Sequence, residues 1–183
     1  MDKKGLIRVK YKIKRKKNYF NTKSNFFNPL IKLLKKKNNV KKRFISLYYP
    51  NNHELNILNI INIEFFKKSA FLLPVIEDDS KMFFYRWKKN DVLYVNRFGI
   101  LEPKKTTIIY PDIIFVPILA FDNKKNRLGY GKGFYDKFLN ECIKIKKKFL
   151  TIGVAFSFQK YNNLPVNKKD IRLDYIITEK GII

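Results

Sequence analysis

The chain has 183 residues, 45 % apolar and 16 % aromatic, with only seven Gly and seven Pro; that is enough for one compact core and excludes a collagen-like or disordered chain. Its longest uncharged stretch, residues 106–121, is broken by Asp112 and two prolines. It falls short of a membrane span, the first residues lack the apolar core of a secretory signal, and the single Cys142 excludes an internal disulfide, so a soluble cytoplasmic protein is expected. The formal net charge of +25 comes from 33 Lys but only seven Arg, alongside abundant Ile, Asn, Phe and Tyr and three Ala; an A/T-rich coding bias explains that whole set, where nucleic-acid binding explains only the Lys.

Residues 4–17 read as a helix with Leu6, Ile7, Tyr11 and Ile13 on a partial apolar stripe. Residues 21–24 are a break with possible caps. A second helix is expected over 26–37, with Phe27, Leu30, Ile31 and Leu34 at helical spacing and Pro29 in its first turn. Residues 43–49 read as a strand that stops at Pro50. A helix is expected over 54–66, with Leu55, Leu58, Ile61 and Phe65 on one face. Short strands follow at 69–74, 81–87 and 92–95. Met82 and Trp87 are core positions, or the lining for a flat aromatic ligand.

The continuous apolar run 112–117 has the character of a buried strand. A Gly-rich turn at 129–133, a helix over 134–146 and strands at 149–156 and 175–178 complete the chain. Cys142 falls mid-helix and is expected to pack. The Lys runs 35–37 and 146–148 suit helix ends, where positive charge complements the dipole. Alternating strands and helices predict an α/β domain with a largely parallel sheet and helices on both faces, over residues 1–183 without repeat or linker.

The segment from Pro111 to Asp136 carries the chemistry. Gly129, Gly131 and Gly133 alternate, so backbone can approach a ligand and adopt positive φ. The following helix points its free N–H groups and positive dipole end at that turn, and Arg127 and Lys132 add two cations. The set reads as a phosphate cradle, although a Gly-X-Gly-X-Gly pattern alone is also a plain turn. It is neither a Walker A loop nor the dinucleotide fingerprint.

Asp136 falls in the first turn of that helix, and Asp174 precedes the last apolar strand. Either can serve a hard cation such as Mg²⁺, which takes one or two carboxylates beside phosphates. Asp136 would equally favour the helix dipole, and Asp174 would equally pair in a turn with Arg172. Lys4 and Arg8, four apart, share a helix face and can grip a polyphosphate, or form part of a solvated basic helix. Glu54 opens the expected third helix. The only histidine, His53, makes a His-based metal site or triad untenable.

These residues resemble one family. Val116-Pro-Ile-Leu-Ala-Phe-Asp followed by Arg127-Leu-Gly-Tyr-Gly-Lys-Gly-Phe-Tyr-Asp is similar to the signature of 5-formyltetrahydrofolate cyclo-ligases, also called methenyltetrahydrofolate synthetases. Lys4-Gly-Leu-Ile-Arg8, Ile45-Ser-Leu-Tyr-Tyr-Pro with Glu54, Leu73-Pro-Val, Met82-Phe, Gly99-Ile-Leu-Glu-Pro and Val166 to Asp174 occur in the family's order. The likeness thus covers nearly the whole chain. The N-terminal helix is more basic than is usual there, and Phe134 stands where the family often has Tyr.

The resemblance implies a three-layer α/β/α sandwich of the sugar-phosphate isomerase and CoA-transferase kind. It also implies ATP- and Mg²⁺-dependent closure of 5-formyltetrahydrofolate to 5,10-methenyltetrahydrofolate through a phosphorylated formyl (iminophosphate) intermediate. On the family's pattern Lys4, Arg8, Arg127, Leu128, Gly129, Tyr130, Gly131, Lys132, Gly133, Phe134 and Tyr135 hold ATP, with Arg127 and Lys132 acting on the transferred phosphoryl group. Tyr49, Glu54, Tyr130 and Phe134 meet the folate, and Asp136 and Asp174 take Mg²⁺. The expected partner is the small-molecule folate, with no specific nucleic acid and no membrane, and the expected state is a monomer. A basic nucleic-acid-binding protein on an enzyme-like fold and a catalytically decayed family member are the rival readings.

Overall fold

The computed structural model describes residues 2–36, 43–78 and 81–183. Helix α1 spans Lys3–Lys17 and is capped by Asp2, whose carboxylate accepts from the Gly5 N–H at 2.5 Å. Its buried seam is Ile7, Tyr11 and Arg15. Leu6 and Ile13, expected on the apolar stripe, are more than half exposed. The helix packs Ile7 and Tyr11, an i, i+4 pair, against Ala120, Leu128 and Leu164, so a two-residue apolar seam suffices and the rest of the expected stripe stays in solvent.

A 3₁₀ turn, Ser24–Phe27, leads into α2 (Asn28–Lys36), with Pro29 in the first turn as expected. Lys37, expected at the end of this helix, lies outside the described residues. Strand β1 is only Phe44–Ser46, shorter than the expected 43–49. Leu47 still donates to the Leu72 carbonyl, but Pro50 has no N–H to continue a ladder, and Asn52 and His53 turn the chain at positive φ.

The helix expected over 54–66 is absent. Two 3₁₀ turns, Leu58–Asn62 and Glu64–Phe66, stand there instead. Asn56, Asn59 and Asn62 recur every third residue and all face solvent, while Ile57 and Ile60 between them are fully buried. A period of three suits a 3₁₀ turn rather than an α-helix. The Asn56 side chain also accepts from the Leu58 N–H, a local bond that competes with helix initiation.

Strands β2 (Ala70–Ile76) and β3 (Met82–Arg86) pair antiparallel. Strands β4 (Leu93–Val95) and β5 (Leu101–Pro103) form a small separate hairpin, of which only β4 was expected. Strand β6 is Ile113–Pro117. The expected loop after it contains a second small hairpin, β7 (Ala120–Phe121) with β8 (Arg127–Leu128). Helix α3 (Phe134–Lys144), β9 (Leu150–Val154), β10 (Tyr175–Thr178) and β11 (Gly181–Ile182) follow.

The main sheet has the order β11-β10-β9-β6-β1-β2-β3. The five strands from β10 to β2 run parallel, and β11 and β3 close the edges antiparallel. Successive residues of β6 feed opposite faces. Ile113 and Phe115 pack with Leu30 and Leu34 of α2, while Ile114 and Val116 pack with Phe138, Leu139 and Cys142 of α3. The result is the expected three-layer α/β/α arrangement, in which each fully buried Leu, Ile or Phe contributes about 1.5–3 kcal/mol. Cys142 is wholly buried, and burial pushes its thiol up to about 11. Met82 and Trp87 are core residues. Among the described residues no helix is long and apolar enough to cross a membrane. The β6–α3–β9 crossover sets the start of α3 beyond the carboxyl ends of the parallel strands, where ligands of open α/β sheets bind.

Candidate functional site

The Gly turn between β8 and α3 is closed from one side by α1. Gly131 has φ +106°, and a Cβ on it would lie 3.1 Å from the Arg8 guanidinium carbon. Arg8 Nε donates to the Gly129 carbonyl at 3.0 Å. Gly133, at φ +72°, opens α3 in the left-handed region and offers no side chain to cap it, so the first N–H groups of α3 face the turn without a side-chain acceptor. Lys132 is exposed, with Nζ 5.8 Å from the Phe98 ring centroid. Phe98 meets Phe134 edge-on at 6.1 Å. Leu128 is buried against α1.

Arg127 reaches back under the turn. One guanidinium nitrogen donates to the Ile171 carbonyl, and the other meets Asp136 Oδ1 at 2.7 Å. That same oxygen accepts from the Ile171 N–H at 3.0 Å. Burial lowers the Arg127 pKa, and Asp136 and Asp170 work against that shift. Lys4 binds Asp170 Oδ2 at 2.6 Å. The structure therefore gathers Lys4, Arg8, Arg127, Asp136 and Asp170 around the turn.

Asp174 stands elsewhere. Its Oδ2 accepts from the Thr151 N–H and hydroxyl, both at 2.8 Å, and Tyr175 pairs with Ile152. It thus joins the amino ends of β9 and β10, at the sheet edge opposite the start of α3. The pairing with Arg172 is not the one observed.

Glu54 lies in a loop rather than at a helix start, and it is 7 % exposed. Its Oε2 accepts from the Asn51 N–H at 3.0 Å. Burial raises its pKa; Arg15, the Asn51 N–H and the Tyr130 hydroxyl pull it back. Tyr130, whose phenol is pushed up to about 12, chiefly by burial and then by the nearby Glu54, accepts a hydrogen bond from the Arg15 guanidinium. Tyr130 thereby belongs to the Gly turn and to the surroundings of Glu54 at once. Tyr49 is half-buried against the core under α2. The Tyr135 hydroxyl is buried with no hydrogen-bond partner among the described residues, and its pKa is raised by burial and by the nearby Glu54.

This arrangement can hold an anion and a polar heterocycle side by side. The turn supplies backbone N–H groups, close approach at Gly131 and four cations, which suits a polyphosphate. The buried Glu54 carboxylate accepts hydrogen bonds, and the orphaned Tyr135 hydroxyl awaits a partner. Among the described residues no group of three or more His, Cys, Asp or Glu could hold a metal ion. A cation here would rest on one or two carboxylates and ligand phosphates, the habit of Mg²⁺. Sequence reasoning missed Arg15, which reads as one more cation on a Lys-rich helix, and Asp170, whose only signal is its place between Asn167 and Asp174 in the C-terminal motif.

Comparison with known proteins follows the same lines. A family model described as the 5-formyltetrahydrofolate cyclo-ligase family matches residues 2–179. A 5-formyltetrahydrofolate cyclo-ligase of Haemophilus influenzae is 35 % identical over 136 residues, covering 70 % of this chain and 72 % of that protein. Its counterpart from Mycoplasma genitalium is 31 % identical over 134 residues, covering 73 % and 70 %. The NMR structure of the Aquifex aeolicus 5,10-methenyltetrahydrofolate synthetase superposes with a TM-score of 0.76 at 32 % identity, over 98 % of this chain and 91 % of that one.

Proposed function

Because this chain belongs to the 5-formyltetrahydrofolate cyclo-ligase family, we propose that it is an ATP- and Mg²⁺-dependent ligase over residues 1–183 that closes 5-formyltetrahydrofolate to 5,10-methenyltetrahydrofolate. The observation that carries the reading is the meeting, at Tyr130, of a cationic Gly turn and a buried carboxylate. A two-substrate site needs those two halves in contact.

The chemistry asks for positioning and charge neutralisation more than for covalent help. The formyl oxygen attacks the γ-phosphorus, the bond to the β-phosphate oxygen breaks, and ADP leaves. The nitrogen at position ten then attacks the formyl carbon and gives up its proton, and phosphate departs with that proton and the former formyl oxygen. In this reading Lys4, Arg8, Arg127 and Lys132 hold the phosphates with the N–H groups of the turn. Arg127 and Lys132 also neutralise charge on the transferred phosphoryl group. Glu54 accepts from the pterin N–H groups, beside Tyr49 and Phe134, and a folate polar group satisfies Tyr135.

Mg²⁺, when bound, draws charge from the phosphate oxygens. Asp136 is the first carboxylate for it. The resemblance names Asp174 as the second, whereas the geometry favours Asp170, which pairs with Lys4 and faces Arg127 beside the turn. The deciding experiment follows the absorbance of methenyl product from 5-formyltetrahydrofolate with and without Mg-ATP. Product that requires both ATP and Mg²⁺ is expected, and its absence with well-folded protein overturns the reading.

A further inference from the structure

Arg15 is 1 % exposed, at the inner face of a helix whose other basic residues reach solvent or its margin. Its guanidinium is spread over three acceptors on three segments. Nε donates to the Asn52 carbonyl at 3.0 Å, on the turn that leads to Glu54. One terminal nitrogen donates to the Ile118 carbonyl at 3.3 Å, just past β6. The other donates to the Tyr130 hydroxyl in the Gly turn, and the guanidinium carbon stands 5.5 Å from the Tyr130 ring centroid. A planar fork with fixed donor directions can fix three such segments at one spacing; an ammonium cannot.

We propose that Arg15 is a positioning residue that sets the Glu54 loop and the Gly turn at one distance, so that the folate and the nucleotide are presented to each other in register. What the two halves bind rests on the function proposed above; the Arg15–Tyr130–Glu54 link does not.

The link has an electrostatic signature. Glu54 is faced by Arg15 from α1, Tyr130 from the Gly turn, Tyr48 from the end of β1 and Tyr135 from α3. Arg15 is the cation among them, and it opposes the burial that raises the Glu54 carboxyl. Its loss therefore moves the Glu54 titration to higher pH and frees the Tyr130 hydroxyl. A residue that merely fills space would do neither.

The test uses the full chain and the variants Arg15→Met, Arg15→Lys, Glu54→Gln and Arg15→Met with Glu54→Gln. Carbon-13 NMR of glutamate carboxyls, with Glu54 assigned by its loss in Glu54→Gln, reads the titration midpoint directly. The midpoint is expected to move to higher pH in Arg15→Met and to stay near wild type in Arg15→Lys. Both Arg15 variants should raise the KM for 5-formyltetrahydrofolate roughly five-fold or more, because lysine keeps the charge and loses the fork. The double variant should be within about two-fold of Glu54→Gln alone, since both changes cut one link.

An unmoved midpoint in folded Arg15→Met, or effects that multiply in the double variant, overturns the proposal. If Arg15→Met does not fold, an unchanged folate KM in Arg15→Lys does so instead. A wild-type chain that makes no methenyl product sinks the proposed function, and the NMR midpoint then decides the link by itself.

Discussion

Lys132 is the exposed cation of the Gly turn, resting near the Phe98 ring rather than on a carboxylate. Among the described residues it makes no ion pair, so its ammonium is available to a phosphate without first leaving one. Lys132→Ala should weaken ATP binding by about 1.5–3 kcal/mol, the value of a charge-assisted hydrogen bond. Calorimetric titration with ATP checks this, and unchanged affinity removes Lys132 from the site. Glu54 carries the opposite sign and, on the proposed function, meets the folate. Glu54→Gln should raise the KM for the folate and leave that for ATP near wild type. Burial raises the Glu54 pKa above 4.5, so the carboxylate gains its proton on acidification earlier than an exposed glutamate would. In wild type kcat/KM for the folate should fall with pH through that raised value, and the limb should vanish in Glu54→Gln. The native chain also holds this proton more tightly than the unfolded chain. The group's contribution to stability is therefore fully present below 4.5 and is lost as pH rises through the raised value. Three carboxylates separate by a simple series. Asp136→Asn and Asp170→Asn should slow turnover in a way that added Mg²⁺ partly restores. Asp174→Asn should chiefly lower Tm, because its two bonds to Thr151 weaken. Mg²⁺ rescue of Asp174→Asn instead would return the second ligand to that residue.

Helix α1 meets the Gly turn through Arg8, which bonds the Gly129 carbonyl and lies over Gly131. At Gly131 a methyl group would meet the Arg8 guanidinium at 3.1 Å, on backbone at φ +106° that an L side chain rarely adopts. Gly131→Ala should cost about 1–3 kcal/mol in strain and lift Arg8 from the turn. A lower Tm together with weaker ATP binding is expected; a change in Tm alone would mean that the Arg8 contact does not serve the nucleotide. The signals that reveal such elements differ in kind. Strand β6 was legible because Ile113–Pro117 is a continuous apolar run, which parallel strands covered on both faces require. Helix α3 was legible from its amphipathic pattern and the glycines before it. The stretch from Glu54 to Phe66 was misread because Leu55, Leu58, Ile61 and Phe65 fit a helical face, while the Asn residues at every third position set the turn actually formed. Arg15 was illegible for a deeper reason. Burial of a cation depends on which carbonyls the rest of the chain brings to it, and Ile118 is 103 residues away.

At the scale of the molecule the layer order and the parallel core were legible, since alternation of strands and helices dictates them. Of the two small hairpins only β4 was legible, because β5, β7 and β8 have two or three residues per strand and leave almost no period to read. The net charge of +25 is spread over a Lys-rich exterior. Two of the cations at the site are held differently: Lys4 and Arg127 are mostly buried side chains paired with Asp170 and Asp136. Such pairs are screened by salt far less than exposed lysines. The general charge can hasten the arrival of anionic substrates, but the cradle's geometry comes from the few cations tied to backbone and carboxylate.

Helix α1 docks on partners far along the chain. Arg8 meets Gly129, Tyr11 donates to the Lys160 carbonyl, and Lys4 meets Asp170, separations of 121, 149 and 166 residues. The sheet can assemble from nearer neighbours, since each loop closure costs less when fewer residues intervene. Refolding should therefore proceed in two stages, with far-ultraviolet circular dichroism and Trp87 fluorescence recovering before nucleotide binding does. Stopped-flow refolding in the presence of a fluorescent ATP analogue would show the lag, and simultaneous recovery of all three signals would contradict it. During synthesis the same geometry means that Lys4, Arg8 and Tyr11 of α1 wait for their partners until residues 129–170 emerge, so the cradle closes well after the helix that flanks it has been made.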